Sequence, residues 1–185
     1  MHDVIDVDHV YGNVDSRLRC NQILAVGGLP LPMLTGERAR AVVDRCEREL
    51  LTPLGLRTLA PREPGYVGVY AGGPAVRDAA YHMGTVWPWL LGPFVEAWLR
   101  VHGNSSAHKA EAHRRFVVPL LAHLEQAGIG HVSEIAAGDA PHTPRGCPFQ
   151  AWSIADLLRL ELQVLAGRER PSLPIQDPLP RVAAS

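Results

Sequence analysis

Leu90-Leu91-Gly92-Pro93-Phe94-Val95-Glu96-Ala97-Trp98-Leu99 decides how this chain folds. Its large apolar side chains at 90, 91, 94, 95, 98 and 99 recur at the i, i+3, i+4 spacing that lines one face of a helix. Thr85 is placed to cap the start of that helix and Gly103 its end, while Pro93 either kinks it or marks its first turn. Three other segments share the period. Ala39, Val42, Val43, Cys46 and Leu50 form a stripe entered at Thr35 and left near Thr52-Pro53. Phe116, Val117, Leu120, Leu121 and Leu124 form another, between the cap signal Asn104-Ser105-Ser106 and Gly128, interrupted by Pro119. The last starts at Pro148, a favourable first helical residue, and carries Ala151, Ile154, Ala155, Leu158, Leu162 and Leu165 to Gly167. Ile23-Leu24-Ala25-Val26 reads as a short first helix ahead of Pro30. Alternation is brief wherever it appears and no strand ladder competes, so the expected class is all-α.

The composition bounds what such a chain can do. With 185 residues, 46 % of them apolar and 20 % charged, it can bury a sizeable core as one domain over residues 1–170. The stretch 171–185, with four prolines, is expected to lie over the surface or stay disordered. Eighteen basic against nineteen acidic side chains leave a formal charge of −1, which argues against a nucleic-acid or anionic-membrane binder. Three widely spaced cysteines without a CxxC pair, and no basic-then-apolar leader, give the expectation of a reduced, cytoplasmic protein. No membrane span is long enough to be drawn, and no metal or other cofactor is expected. His142 and Cys147 stand five apart, but no second pair at ligand spacing accompanies them.

Two long connections, 51–84 and 128–147, hold the chemistry, and loops of that length are uncommon without a function. Tyr81-His82-Met83-Gly84-Thr85-Val86-Trp87-Pro88-Trp89 places flat rings beside hydroxyl and imidazole groups, which is what a sugar needs: faces to stack on and fixed polar partners. The alternative is that Trp87 and Trp89 simply anchor the following helix in the core. Glu134, between Val132-Ser133 and Ile135, is a candidate general base acting on a water; the alternative is an acid paired with an arginine such as Arg145. Asp139 to Gly146 is a rigid polar turn that grips hydroxyls or only braces the connection. Arg57 and the Arg77-Asp78 pair flank the tyrosine loop, where salt-bridged scaffolding is the commoner fate.

Read together, four stretches resemble the C-terminal part of the glycogen debranching enzyme family, its amylo-α-1,6-glucosidase region. They are Arg19 to Ile23, Leu50 to Leu59, Tyr81 to Pro93, and Ser133-Glu134-Ile135 continuing through Pro141-His142-Thr143-Pro144-Arg145-Gly146-Cys147 to Gln150-Ala151-Trp152-Ser153. The resemblance implies an (α/α)6 toroid, of which this chain would form about half, acting on the α-1,6-linked glucose stub at a glycogen branch. It implies an inverting mechanism in which one carboxylic acid protonates the leaving oxygen and one carboxylate activates water, about 6.5–9.5 Å apart. Matched by motif, Glu134 would be the general base. Arg57, Tyr81, His82, Thr85 and Trp87 would line the glucose pocket, with His142 and Gln150 near its wall. The partner implied is an α-glucan, glycogen or a limit dextrin, together with an upstream polypeptide carrying the rest of the toroid, or self-association. A non-catalytic glucan-binding or structural helical module is the other reading. The family's general acid lies in a Trp-Met-Asp type motif, which is absent from these residues. Met83 stands where the family usually has Gln, Cys20 where it has Pro, and Ala136-Ala137 where an aromatic and an acid are usual.

Overall fold

The computed structural model describes residues 1–127 and 129–168. Gly128, the expected domain end at 170 and the proline-rich stretch 171–185 lie outside the described residues. Helices dominate: α1 (Gly36–Glu49), α2 (Pro74–Ala80), α3 (Leu91–His102), α4 (Ser106–Ala112), α5 (Val118–Gln126) and α6 (Ala151–Arg159). The stripe from Leu90 to Leu99 makes α3 the hub, because Leu91, Phe94, Val95, Trp98 and Leu99 are all buried. It packs on α1, α4 and α6 and on a 3-10 turn, Cys20–Ala25, which replaces the expected helix at Ile23. Pro93 falls in the first turn of α3, where its missing N–H has no intrahelical partner to lose. Gly103 ends the helix at φ 129°.

Thr85 does not cap α3. A 3-10 turn, Pro88–Leu90, leads into the helix, and Thr85 is buried ahead of it, donating its hydroxyl to Tyr81 O at 2.5 Å. The stripe from Phe116 to Leu124 is capped as expected, since Ser105 accepts the His108 N–H at 3.2 Å. Between α4 and α5 it widens into a π turn, His113–Val117. The physical cause is Pro119, which lacks a donor and whose ring would strike the carbonyl four residues back in a regular helix. The last helix starts at Ala151 rather than Pro148 and also ends in a π turn, Leu160–Val164.

The all-α expectation needs correction, because sheet is present. A five-stranded antiparallel sheet runs β3 (Leu51–Thr52), β4 (Gly55–Arg57), β5 (Val86–Trp87), β6 (Ile135–Ala136) and β7 (Pro144–Arg145), in that order. A separate N-terminal hairpin pairs β1 (Val4–Ile5) with β2 (Val14–Asp15). Strands of two or three residues are too short for a period of two to register in sequence. The five-stranded sheet matters because it joins the two long connections: Leu56 faces Trp87, Arg57 faces Val86, Val86 faces Ala136, and Ile135 faces Arg145. The first connection also contains α2, entered through Gly73 with Pro74 as its first residue. Among the described residues no helix is long and apolar enough to cross a membrane.

Candidate active site

Glu134 precedes β6 directly and is fixed there by the hairpin that β6 forms with β7. Its backbone N–H donates to Cys147 O at 2.8 Å, and the Cys147 N–H returns a bond to Glu134 Oε2 at 2.9 Å. Gly146 makes this approach possible. It sits at φ +70°, and a Cβ there would fall 2.3 Å from Glu134 Oε2. The other carboxylate oxygen, Oε1, accepts the Tyr81 hydroxyl from across the sheet. Among the described residues each oxygen has one protein donor and so keeps a lone pair for a further one. Arg145 does not pair with Glu134; it donates to Pro144 O at 3.1 Å. Burial, and then the neighbouring Glu134 carboxylate, raise the Tyr81 phenol well above its usual value, so it stays a donor.

Rings extend outward from this pair. Tyr81 meets Trp87 edge-on at 4.9 Å and His82 at 4.8 Å, and His82 stacks on Trp87 at 5.2 Å with 13° between planes. Trp87 itself is only 5 % exposed and belongs to the core, while its indole N–H is shared by Thr85 Oγ1 (3.2 Å) and Tyr81 O (3.3 Å). Trp87 therefore packs as a core anchor and also forms the back of the ring cluster. His82 is exposed in front of it. Tyr81, His82, Thr85, Trp87 and Glu134 are thus brought together.

Arg57 and His142 are held differently. Arg57 Nε donates to Gly138 O at 2.8 Å, and His142 Nδ1 lies 3.1 Å from Ala137 O, so both brace the turn of the β6–β7 hairpin. Asp139 in that turn accepts the Tyr66 hydroxyl at 2.9 Å; burial and this bond push the Tyr66 phenol up to about 12. Gln150 caps the start of α6 through its backbone, with its N–H on Val132 O at 3.0 Å and no side-chain cap bond. Met83, where the family usually has an amide, turns its sulfur to Arg19 Nη2 at 3.2 Å.

Three contributors escape reading from sequence. Trp152 is 53 % exposed and tilts against Trp87 (6.0 Å) and Trp89 (6.1 Å), widening the ring surface. Tyr70 packs on Tyr81 at 5.9 Å. Cys147 acts through its backbone N–H, which leaves no side-chain signal; only the glycine before it hints at a close approach.

The sequence profile of a family described as amylo-alpha-1,6-glucosidase matches residues 1–159. The glycogen debranching enzyme of Saccharomyces cerevisiae is 27 % identical over 171 residues, covering 79 % of this chain and 11 % of that protein. The chain therefore spans about a tenth of the length of this curated relative. With most of its length matched, this chain belongs to the amylo-α-1,6-glucosidase family.

Proposed function

We propose that the chain supplies the general base and one wall of the glucose pocket for hydrolysis of α-1,6 branch stubs in glycogen or a related α-glucan. It does so as part of a helical toroid completed by an upstream polypeptide. The observation that carries this reading is the Glu134 carboxylate, oriented by the Tyr81 hydroxyl and the Cys147 N–H beside the His82–Trp87 rings. A base needs a fixed direction and a free lone pair, and the two donors supply the first while leaving the second. Water activated by Glu134 attacks the anomeric carbon as the glycosidic bond breaks, and the leaving oxygen takes its proton from a carboxylic acid on the opposite side of the sugar. Asp139 is no substitute for that acid, since it is engaged by Tyr66 in the hairpin turn.

The surface of α6 supports the need for a companion. Leu158 is 52 % exposed and Leu162, one turn on, 72 %; Phe149 and Trp152 stand open at its start. Apolar side chains grouped on one helix commonly meet another protein surface. The test is reconstitution: the chain is co-expressed with the upstream part of a debranching enzyme that bears the Trp-Met-Asp aspartate. Glucose release from limit dextrin that appears only in the mixture, and is lost with Glu134→Gln, is the expected result. Full release with Glu134→Gln would refute the role of the base. Binding of glucan with no release in any mixture would favour a non-catalytic glucan-binding module.

A further inference from the structure

Away from Glu134, a polar cleft of about 700 Å³ opens between α1, α3 and α4. That volume is within the range of small-ligand sites. At its floor are two buried nitrogens without a hydrogen-bond partner among the described residues: Trp98 Nε1, on a side chain 2 % exposed, and His102 Nε2. The two rings stack at 4.5 Å with 20° between planes. Arg40 Nη1 lies 3.4 Å from His102 Nδ1 and can only donate, so Nδ1 accepts and the ring proton sits on Nε2. Both orphans are therefore N–H donors. The nearest carboxylate to His102 Nε2, Asp44 Oδ1, is 3.7 Å away, beyond hydrogen-bond length. A buried donor left without an acceptor is destabilising, and its persistence suits a ligand that completes it.

The rim decides the class of ligand. Asp44, Glu47 and Glu111 line the cleft together with Arg48 and Arg115, and Arg115 bridges Glu47 and Glu111, so its charge is already spent. An anion would meet three carboxylates. A cation would meet two N–H donors at the floor. A neutral polyhydroxyl compound fits both, giving lone pairs to the donors and hydroxyl protons to Asp44 and Glu111, which are about half open to solvent.

We infer that this cleft is a second saccharide site, which takes up a stretch of the same α-glucan remote from the branch being cut. The inference rests on the reading of the chain as glucan-acting. Trp98 lies seven residues into α3 from Leu91, about 10 Å along the helix axis, away from the start of α3 that follows Trp87. An extended glucan chain bound here acts as a tether, so that local concentration rather than tighter pocket binding favours the branch. Both nitrogens lie beneath the cleft surface, where the His108 ring stands edge-on to Trp98 at 6.4 Å and the Arg115 guanidinium lies 5.7 Å from the Trp98 ring centroid, so uptake of a hydroxyl requires side chains of the cleft to shift.

The test follows the four indole N–H resonances of ¹⁵N-labelled protein, assigned by single Trp→Phe variants, during titration with maltoheptaose. The expected result is that the Trp98 resonance moves downfield with saturation. In the Asp44→Ala/Glu111→Ala double variant that shift should need about tenfold more ligand, while the Trp87 resonance responds as before. Retention of all four resonances shows that the variant is folded. A Trp98 resonance that stays fixed while Trp87 moves, or one whose titration is the same in the double variant, overturns the second site and leaves the proposed function standing. If no indole responds, the second site is overturned, while the proposed function still stands or falls by reconstitution.

Discussion

Gly146→Ala probes the Glu134 cradle most selectively. Two separate penalties apply at this position. The first is the backbone: φ +70° places an alanine in the left-handed region, at about 1–2 kcal/mol. The second is the close approach, with the new Cβ 2.3 Å from Glu134 Oε2 and 3.1 Å from Glu134 Cβ and Ile135 Cγ1. The carboxylate end is flexible and swings away, giving up its bond to the Cys147 N–H, worth about 1.5–3 kcal/mol for a charged acceptor and less here because the group is half-exposed. Gly130→Ala separates the two effects: φ is +82° there, and a Cβ would meet nothing within 4 Å. Urea denaturation of both variants should place Gly146→Ala about 1–2 kcal/mol below Gly130→Ala. In the reconstituted mixture Gly146→Ala should also lower glucose release, because the base is turned from its direction. Equal midpoints for the two variants, with unchanged release, would refute the idea that Glu134 is held from the 146–147 side.

Other perturbations read the remaining elements. Ser105→Ala removes the side-chain cap of α4 and should lower stability by about 1 kcal/mol in urea titrations, whereas Ser105→Asp should restore most of it. His123 is buried behind Ser133, with its Nε2 accepting the Ser133 N–H at 3.3 Å; burial depresses its basicity. Its folded pKa lies below the unfolded value of 6.5, so the unfolded chain takes up the proton first. Stability should be full above about pH 6.5 and decline as the pH falls below it, and His123→Phe should flatten that decline in urea midpoints measured from pH 7.5 to 5.5. Leu158→Glu/Leu162→Glu should convert any self-associated form to monomer in sedimentation experiments, without loss of thermal stability, since both side chains are exposed. Association unchanged by the double variant would place the contact elsewhere.

How much of this was legible in the sequence depends on the length over which each signal repeats. The α1 and α3 stripes cover about three turns each, so their faces and the core they build could be read directly. Gly72-Gly73-Pro74 held a start signal for α2, but seven residues give too few turns for a stripe. The sheet could not be read at all, because each strand holds two or three residues and its pairing spans up to 50 residues, as between Val86 and Ala136. Thr85 has the sequence signature of a cap because a threonine ahead of an apolar run looks the same whether it faces solvent or is buried. The residue types of the site were legible, and so was the family on Ser133-Glu134-Ile135 and its companions. The bond between Tyr81 and Glu134 was not, since 53 residues of chain separate them and only the folded sheet edge brings them together.

In the proposed reaction Glu134 is one of two carboxyl groups required, and the second is supplied by another polypeptide. Glucose release from limit dextrin by the purified chain alone tests it most directly. Each acid or base group contributes about 10²–10⁴-fold, so release should stay at background, no different with Glu134→Gln. Brisk release by the chain alone, abolished by Glu134→Gln, would contradict it and locate the proton donor among these residues.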